Sequence, residues 1–224
     1  MSQNRSHAVM AQRVEPDDSL DDFPTPPWAT RALIKHVIFP RLVFDPPAVL
    51  RQARAWEPSC NRGHMVLPLR EYFGTVHASD IHDYSAEWSG QDRVCDFLFP
   101  GSEPPHIAAQ GVDWIITNPP FRLAEQFLQR AFGLAGSGVA VIVRTAFLES
   151  VGRYELLFSK NPPSIIAQFT ERVVMIKGRL TATGSTATSY CWLVWIVGRE
   201  GTEFCWIPPC RKQLERAGDY LRAA

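Results

Sequence analysis

An asparagine, two prolines and an aromatic stand in a row at Asn118-Pro119-Pro120-Phe121, directly after the apolar run Asp113-Trp114-Ile115-Ile116-Thr117. The Asn118 amide oxygen and the Pro119 carbonyl can together accept the two N–H bonds of an amine, in a geometry that matches a tetrahedral nitrogen better than a flat one. A conjugated amine needs that help to act as a nucleophile, because its lone pair is otherwise spread into the ring. The two prolines restrict φ and fix where both acceptors point. Phe121 adds an apolar face on which a flat ring can stack. Neither a metal nor a strong general base is required. A second run, Asn161-Pro162-Pro163-Ser164, shares three letters but lacks the aromatic and the preceding strand, and reads as a plain turn.

Upstream, Glu57-Pro58-Ser59-Cys60-Asn61-Arg62-Gly63 follows a short apolar run and precedes a helical pattern. Small and turn-prone residues there let backbone amides approach a ligand, and in open α/β sheets the crevice beyond the carboxyl ends of the strands is where cofactors bind. Asp80, followed by Ile81, ends the next strand and can accept two hydrogen bonds from a ribose diol. Asp96-Phe97 closes the segment after that.

These residues need a scaffold that brings strand ends together. Apolar runs at Ala53 to Glu57, Val76 to Ser79, Trp114 to Thr117, Val139 to Val143, Ile165 to Phe169 and Tyr190 to Val197 read as strands. Met65 to Phe73, Leu123 to Phe132 and Glu149 to Phe158 read as helices between them, and Thr30 to Phe39 as a helix ahead of them. Such alternation predicts an α/β fold, a mostly parallel sheet with helices on both faces. The last two runs lack a helix between them, which predicts an antiparallel hairpin. Residues 1–22, polar and ending in Asp17, Asp18, Asp21 and Asp22, read as a disordered tail, 23–200 as the catalytic domain and 201–224 as a C-terminal extension.

The 224 residues carry 23 basic and 23 acidic side chains, so no global positive field marks a polyanionic partner. A local patch has to serve. Arg122 and the loop Lys177 to Ser189, with Lys177 and Arg179 among many Gly, Ser and Thr residues, are the candidates for phosphate contact, and a solvated hairpin tip explains the loop's composition equally well. Five scattered cysteines form no metal-like cluster, and no apolar run is long enough to span a membrane. The expectation is a cytoplasmic enzyme with reduced thiols.

The loop at Glu57 to Gly63, the acid Asp80 and the tetrapeptide at Asn118 together resemble class I S-adenosylmethionine-dependent methyltransferases, and in particular the N6-adenine family in its small phage or prophage form. The resemblance implies a Rossmann-like fold with S-adenosylmethionine as cofactor. By that resemblance Glu57, Ser59, Cys60 and Gly63 cradle its amino-acid part, Asp80 and Ile81 hold its ribose, and Asp96 and Phe97 flank its adenine. Phe23-Pro24-Thr25-Pro26 is similar to the Pro-Thr-Pro element that packs over the methionine end in adenine-specific DNA methyltransferases, which adds Phe23, Thr25 and Pro26 to the cofactor site. Asn118 to Phe121 would clamp a flipped adenine. Asn61 stands where the family commonly has glycine, and asparagine tolerates the left-handed conformation. The implied partner is nucleic acid, DNA before RNA. The same chemistry on a protein glutamine amide, or a binding module that has lost turnover, remains open at this level.

Overall fold

The computed structural model describes residues 21–220. Residues 1–20 of the expected tail and 221–224 lie outside the described residues. Eight strands form one sheet: β1 (Arg54–Glu57), β2 (Thr75–Asp80), β3 (Arg93–Val94), β4 (Val112–Thr117), β5 (Ala135–Arg144), β6 (Ile165–Phe169), β7 (Tyr190–Ile196) and β8 (Glu203–Ile207). Their order is β3-β2-β1-β4-β5-β7-β6-β8. Pairing is parallel except on the two sides of β7, which runs antiparallel to β5 and to β6. The expected hairpin is the β6–β7 pair. β4, β5 and β7 are apolar almost throughout because both of their faces are covered.

One face packs on Trp28, Leu33, Leu50, Leu69 and Leu214. These come from α1 (Pro27–Ala32) and its continuation, α2 (Pro46–Gln52), α3 (Val66–Leu69) and, near the chain end, α7 (Arg211–Leu214). The other face packs on Ile107 of α4 (Pro105–Gln110) and on Phe127 and Leu128 of α5 (Ala124–Phe132). At Gly138 in β5 the neighbouring strands β4 and β7 leave no room for a side chain. A Cβ there would lie 2.6 Å from the Trp114 ring and 2.7 Å from the Trp195 carbonyl, so only glycine fits.

Several elements differ from expectation. The first helix begins at Pro27, where the missing proline N–H costs nothing, and then widens into a π turn over Leu33–Ile38. After it, Asp45 accepts from Ala48 N at 3.2 Å and caps α2, a helix absent from the sequence reading. Met65 to Phe73 yields only the short α3, which contains Pro68, and Glu149 to Phe158 divides into α6 (Val151–Arg153) and a π turn over Tyr154–Phe158. The extension 201–224 is not separate from the sheet, since it supplies β8. Arg31, 4% exposed, ties that end of the chain back by donating to Glu71, Asp219 and the Leu214 carbonyl.

β1 sits between β2 and β4, so the chain leaves β1 in one direction and enters β4 from the other. A crevice opens at such a reversal, beyond the carboxyl ends of the strands. The two segments that end there are the loop after Glu57 and the tetrapeptide after Thr117.

Candidate active site

The loop after β1 is built from buried anchors. Cys60 N–H donates to the Ser79 carbonyl at 2.9 Å, which ties the loop to β2. Asn61 and Gly63 both take left-handed backbone, with φ of 48° and 81°. At Gly63 a Cβ would fall 2.4 Å from the Trp88 ring, so the glycine is required twice over. Glu57 is fully buried and accepts from Ser59 N at 3.0 Å. Burial pushes its carboxyl up to about 8, against the opposing pull of the Thr117 hydroxyl and the Ser59 amide. Its work is to shape the loop from beneath.

Above the loop lies a cavity of about 190 Å³. Of the residues expected at the site, Phe23, Thr25, Ser59, Cys60, Asp80, Ile81, Asp96, Phe97, Asn118 and Pro120 line it. Pro26, Glu57, Gly63, Pro119 and Phe121 do not line it. Asp80 accepts from Asn61 N at 2.9 Å through one oxygen and from His82 N at 3.1 Å through the other. Burial raises its carboxyl above the ordinary value, and these two amides partly oppose the rise. A carboxylate has about four acceptor positions, so two backbone bonds leave room for a diol. Asp96 is exposed and accepts from Leu98 N at 2.9 Å, while the Phe97 ring is buried against Trp56 and Phe127.

Asn118 is held by its nitrogen. Nδ2 donates to the Phe23 carbonyl at 2.9 Å and to Thr25 Oγ1 at 3.0 Å, with Met175 Sδ at 3.9 Å. A carbonyl can only accept, so the amide has one sensible orientation, and Oδ1 is left buried without a hydrogen-bond partner. Such an acceptor costs about 1 to 3 kcal/mol until a donor reaches it. Beside it, the Pro120 carbonyl accepts from Leu123 N, and among the described residues nothing donates to the Pro119 carbonyl. The Phe121 ring meets Phe23 at 5.2 Å between centroids and carries the Arg144 guanidinium 4.0 Å from its own centroid.

The basic candidates stay outside the cavity. Arg122, Lys177 and Arg179 are exposed. The loop that bears Lys177 and Arg179 is no free hairpin tip, because Val173, Val174, Met175 and Leu180 around it are buried and Gly178 N–H donates to the Asp22 carbonyl at 2.8 Å. Asn161 of the second tetrapeptide is exposed and its carbonyl accepts from Trp195 Nε1, a purely structural bond.

Sequence reasoning missed Asp21, Asp22, His64, Tyr84, Met175 and Arg144, and named Asn61 only for its backbone. Asp21 lines the cavity and accepts from Phe121 N at 2.5 Å. Asp21 and Asp22 therefore belong to the structured chain, ahead of the expected boundary at Phe23. Asn61 alone carried a signal, as the odd residue at a glycine position.

No protein-family model and no curated protein sequence matches the chain. Solved structures do. A protein from Listeria monocytogenes assigned as a class I S-adenosylmethionine-dependent methyltransferase superposes with a TM-score of 0.55 at 12% identity, over 85% of this chain and 67% of that one. A Pyrococcus horikoshii protein assigned as an RNA methyltransferase gives 0.55 at 14% identity, over 81% and 90%. The modification subunit assigned to a type I restriction enzyme of Vibrio vulnificus gives 0.53 at 17% identity, over 83% of this chain and 47% of that subunit, so the chain spans about half its length. This chain has the Rossmann-like fold of the class I methyltransferases.

Proposed function

We propose that the protein is an S-adenosylmethionine-dependent methyltransferase acting on the exocyclic amine of adenine in DNA. The observation that carries this reading is the buried, unpartnered Oδ1 of Asn118, a residue that lines the cavity together with Asp80 and the loop Ser59 to Asn61. An acceptor fixed on its far side by Phe23 and Thr25 is preorganised for a donor that arrives from outside the chain. The residues also fit the cofactor: Asp80 keeps acceptor capacity for a ribose, and Asp96 offers an exposed carboxylate beside the buried Phe97 wall.

When bound, S-adenosylmethionine supplies an electrophilic methyl group. The chain's own contribution is at the other reactant. Asn118 Oδ1 and the Pro119 carbonyl take the two N–H bonds of the target amine and favour its tetrahedral form, which localises the lone pair. Phe121 would give a flipped base a stacking surface once the Arg144 guanidinium, now 4.0 Å from its ring centroid, makes way. The surplus proton leaves to water. Asn61 does not break the cofactor loop, since it adopts the left-handed backbone that the turn requires, and this speaks against a scaffold that has lost turnover.

Adenine in DNA is favoured by the Pro-Thr-Pro segment that abuts Asn118 and by the likeness to a restriction-modification subunit. The test is transfer of tritiated methyl groups from labelled cofactor to DNA, RNA and protein fractions in parallel, followed by identification of the methylated nucleoside. Label in N6-methyladenine of DNA is expected. Label confined to RNA or to protein overturns the substrate, and none in any fraction overturns the activity.

A further inference from the structure

Asp22 joins three separate stretches of the chain at the rim of the cavity. Its carboxylate accepts from Arg62 Nη2 at 2.9 and 2.8 Å and from Asn61 Nδ2 at 2.7 Å, and its carbonyl accepts from Gly178 N at 2.8 Å. The ion pair is largely covered, with the Arg62 and Asp22 side chains 21% and 18% exposed. Asn61 Oδ1 in turn accepts from Arg62 N and Nε at 2.6 and 3.0 Å, so the asparagine holds the arginine in place while its other end holds the aspartate. Tyr84 hydroxyl, also on the cavity wall, accepts from the same Asn61 nitrogen at 3.3 Å.

This arrangement draws the segment 21–25 down over the cavity and fixes both of its ends. At one end Thr25 Oγ1 accepts from Asn118, and at the other Asp22 is clamped by the cofactor loop itself. The space beneath the segment, about 190 Å³ and partly open to solvent, is smaller than the roughly 300 to 1,000 Å³ of ordinary small-molecule sites. Asp21, Phe23, Pro24 and Thr25 of the segment form part of the cavity wall, so a ligand that fills the cavity lies against the segment. Lifting the segment would break the bonds of Asp21, Phe23 and Thr25 to the tetrapeptide as well as those of Asp22, and of these only those of Asp22 tie it to the loop after β1.

We infer that Asp22, Asn61 and Arg62 are positioning residues of the cofactor site: they form a latch that closes segment 21–25 over bound S-adenosylmethionine and sets how fast cofactor and product leave. The inference rests on the cofactor reading above. It also gives Asn61 a reason to be there, because glycine would provide the same backbone turn without the amide that grips Asp22. A partly exposed charge pair suits the purpose, since it is strong enough to bias a segment and weak enough to open within a catalytic cycle.

The experiment measures release of S-adenosylmethionine and, separately, of S-adenosylhomocysteine by stopped-flow displacement, beside thermal melting of the ligand-free protein. The variants are Asp22→Asn, Asn61→Gly, Arg62→Lys, and the charge exchange Asp22→Arg with Arg62→Asp. Asn61→Gly keeps the backbone comfortable at φ 48° and removes only the side-chain grip. Release at least tenfold faster is expected from Asp22→Asn and Asn61→Gly, with Arg62→Lys between them and the parent. The melting midpoint should stay close to that of the parent. The double exchange should release more slowly than either of its single reversals. Parent-like release in the Asp22 and Asn61 variants overturns the latch, and so does a lowered melting midpoint with unchanged release, which makes the contact merely structural. A parent protein that binds neither ligand overturns the cofactor reading, and the latch with it.

Discussion

The Phe23 carbonyl accepts from Asn118 Nδ2 at 2.9 Å, and through that bond the N-terminal segment decides which way the tetrapeptide's amide faces. In the proposed reaction Phe23 would thus act on the chemistry without touching the target amine. The expected consequence of Asn118→Ala is loss of methyl transfer with cofactor affinity nearly intact. Losing one preorganised acceptor costs on the order of 3 kcal/mol elsewhere, which corresponds to a fall of about a hundredfold or more in single-turnover rate. Asn161→Ala, at an exposed position, should leave the rate unchanged. Transfer by the Asn118 variant at close to the parental rate would sink the clamp.

Asp80 faces the cavity and also holds the backbone of Asn61 and His82. Asp80→Ala should therefore weaken S-adenosylmethionine binding more than it slows the chemical step at saturation, because ribose contacts are the same in ground and transition states. Hydrogen bonds to a charged group are worth about 1.5 to 3 kcal/mol, so the dissociation constant by calorimetry should rise about tenfold to a hundredfold. A variant that binds as tightly as the parent would remove Asp80 from the ribose.

What was legible in the sequence follows from where the signals lie. Asn118 and Asp80 end apolar strands, and a strand end in an alternating α/β pattern has a known destination, the crevice where the sheet order reverses. Asp22 had no such address. It lies in a run of aspartates without periodicity, and its partners Asn61 and Arg62 are 39 and 40 positions away. Arg144 is a lone basic residue after a buried strand, so only the fold reveals that it covers Phe121. β8 was hidden for a different reason: it pairs with β6 at the sheet edge and leaves Phe204 and Trp206 exposed, so its alternation lacks a clear apolar face.

Two buried titratable groups near the cofactor loop pull stability in opposite directions with pH. Burial, aided by Arg62, lowers His64 to about 4, so the folded protein keeps it neutral while the unfolded chain protonates it near 6.5. Its contribution is complete above pH 6.5 and is lost as pH falls toward 4. Glu57 behaves in the reverse sense: its folded carboxyl holds its proton up to about 8, while the unfolded one releases it near 4.5. That contribution is complete below pH 4.5 and is lost as pH rises toward 8. Glu57→Gln keeps an oxygen for the Ser59 amide and removes the ionisation. Unfolding free energies of variant and parent from urea titration should diverge in the variant's favour between pH 4.5 and 8, by about a few kcal/mol in total. Parallel curves across that window would show that Glu57 is ionised in the fold.

Lys177 and Arg179 flank Gly178, whose amide is bonded to Asp22 and whose carbonyl accepts from Arg62 at 3.3 Å. The two exposed cations therefore sit beside the segment and loop that flank the cavity, and neither lines it. If the protein acts on nucleic acid as proposed, these cations would serve as phosphate contacts, which position a strand without reading its sequence. Neutralising both, as Lys177→Gln with Arg179→Gln, should weaken binding of a fluorescein-labelled mixed-sequence duplex to a similar degree whatever the sequence. The slope of log affinity against log salt should fall by about one to two. Cofactor binding should stay at the parental level, because neither side chain lines the cavity. An unchanged slope would mean that the two side chains are solvated bystanders, and that the nucleic acid is held elsewhere on the protein.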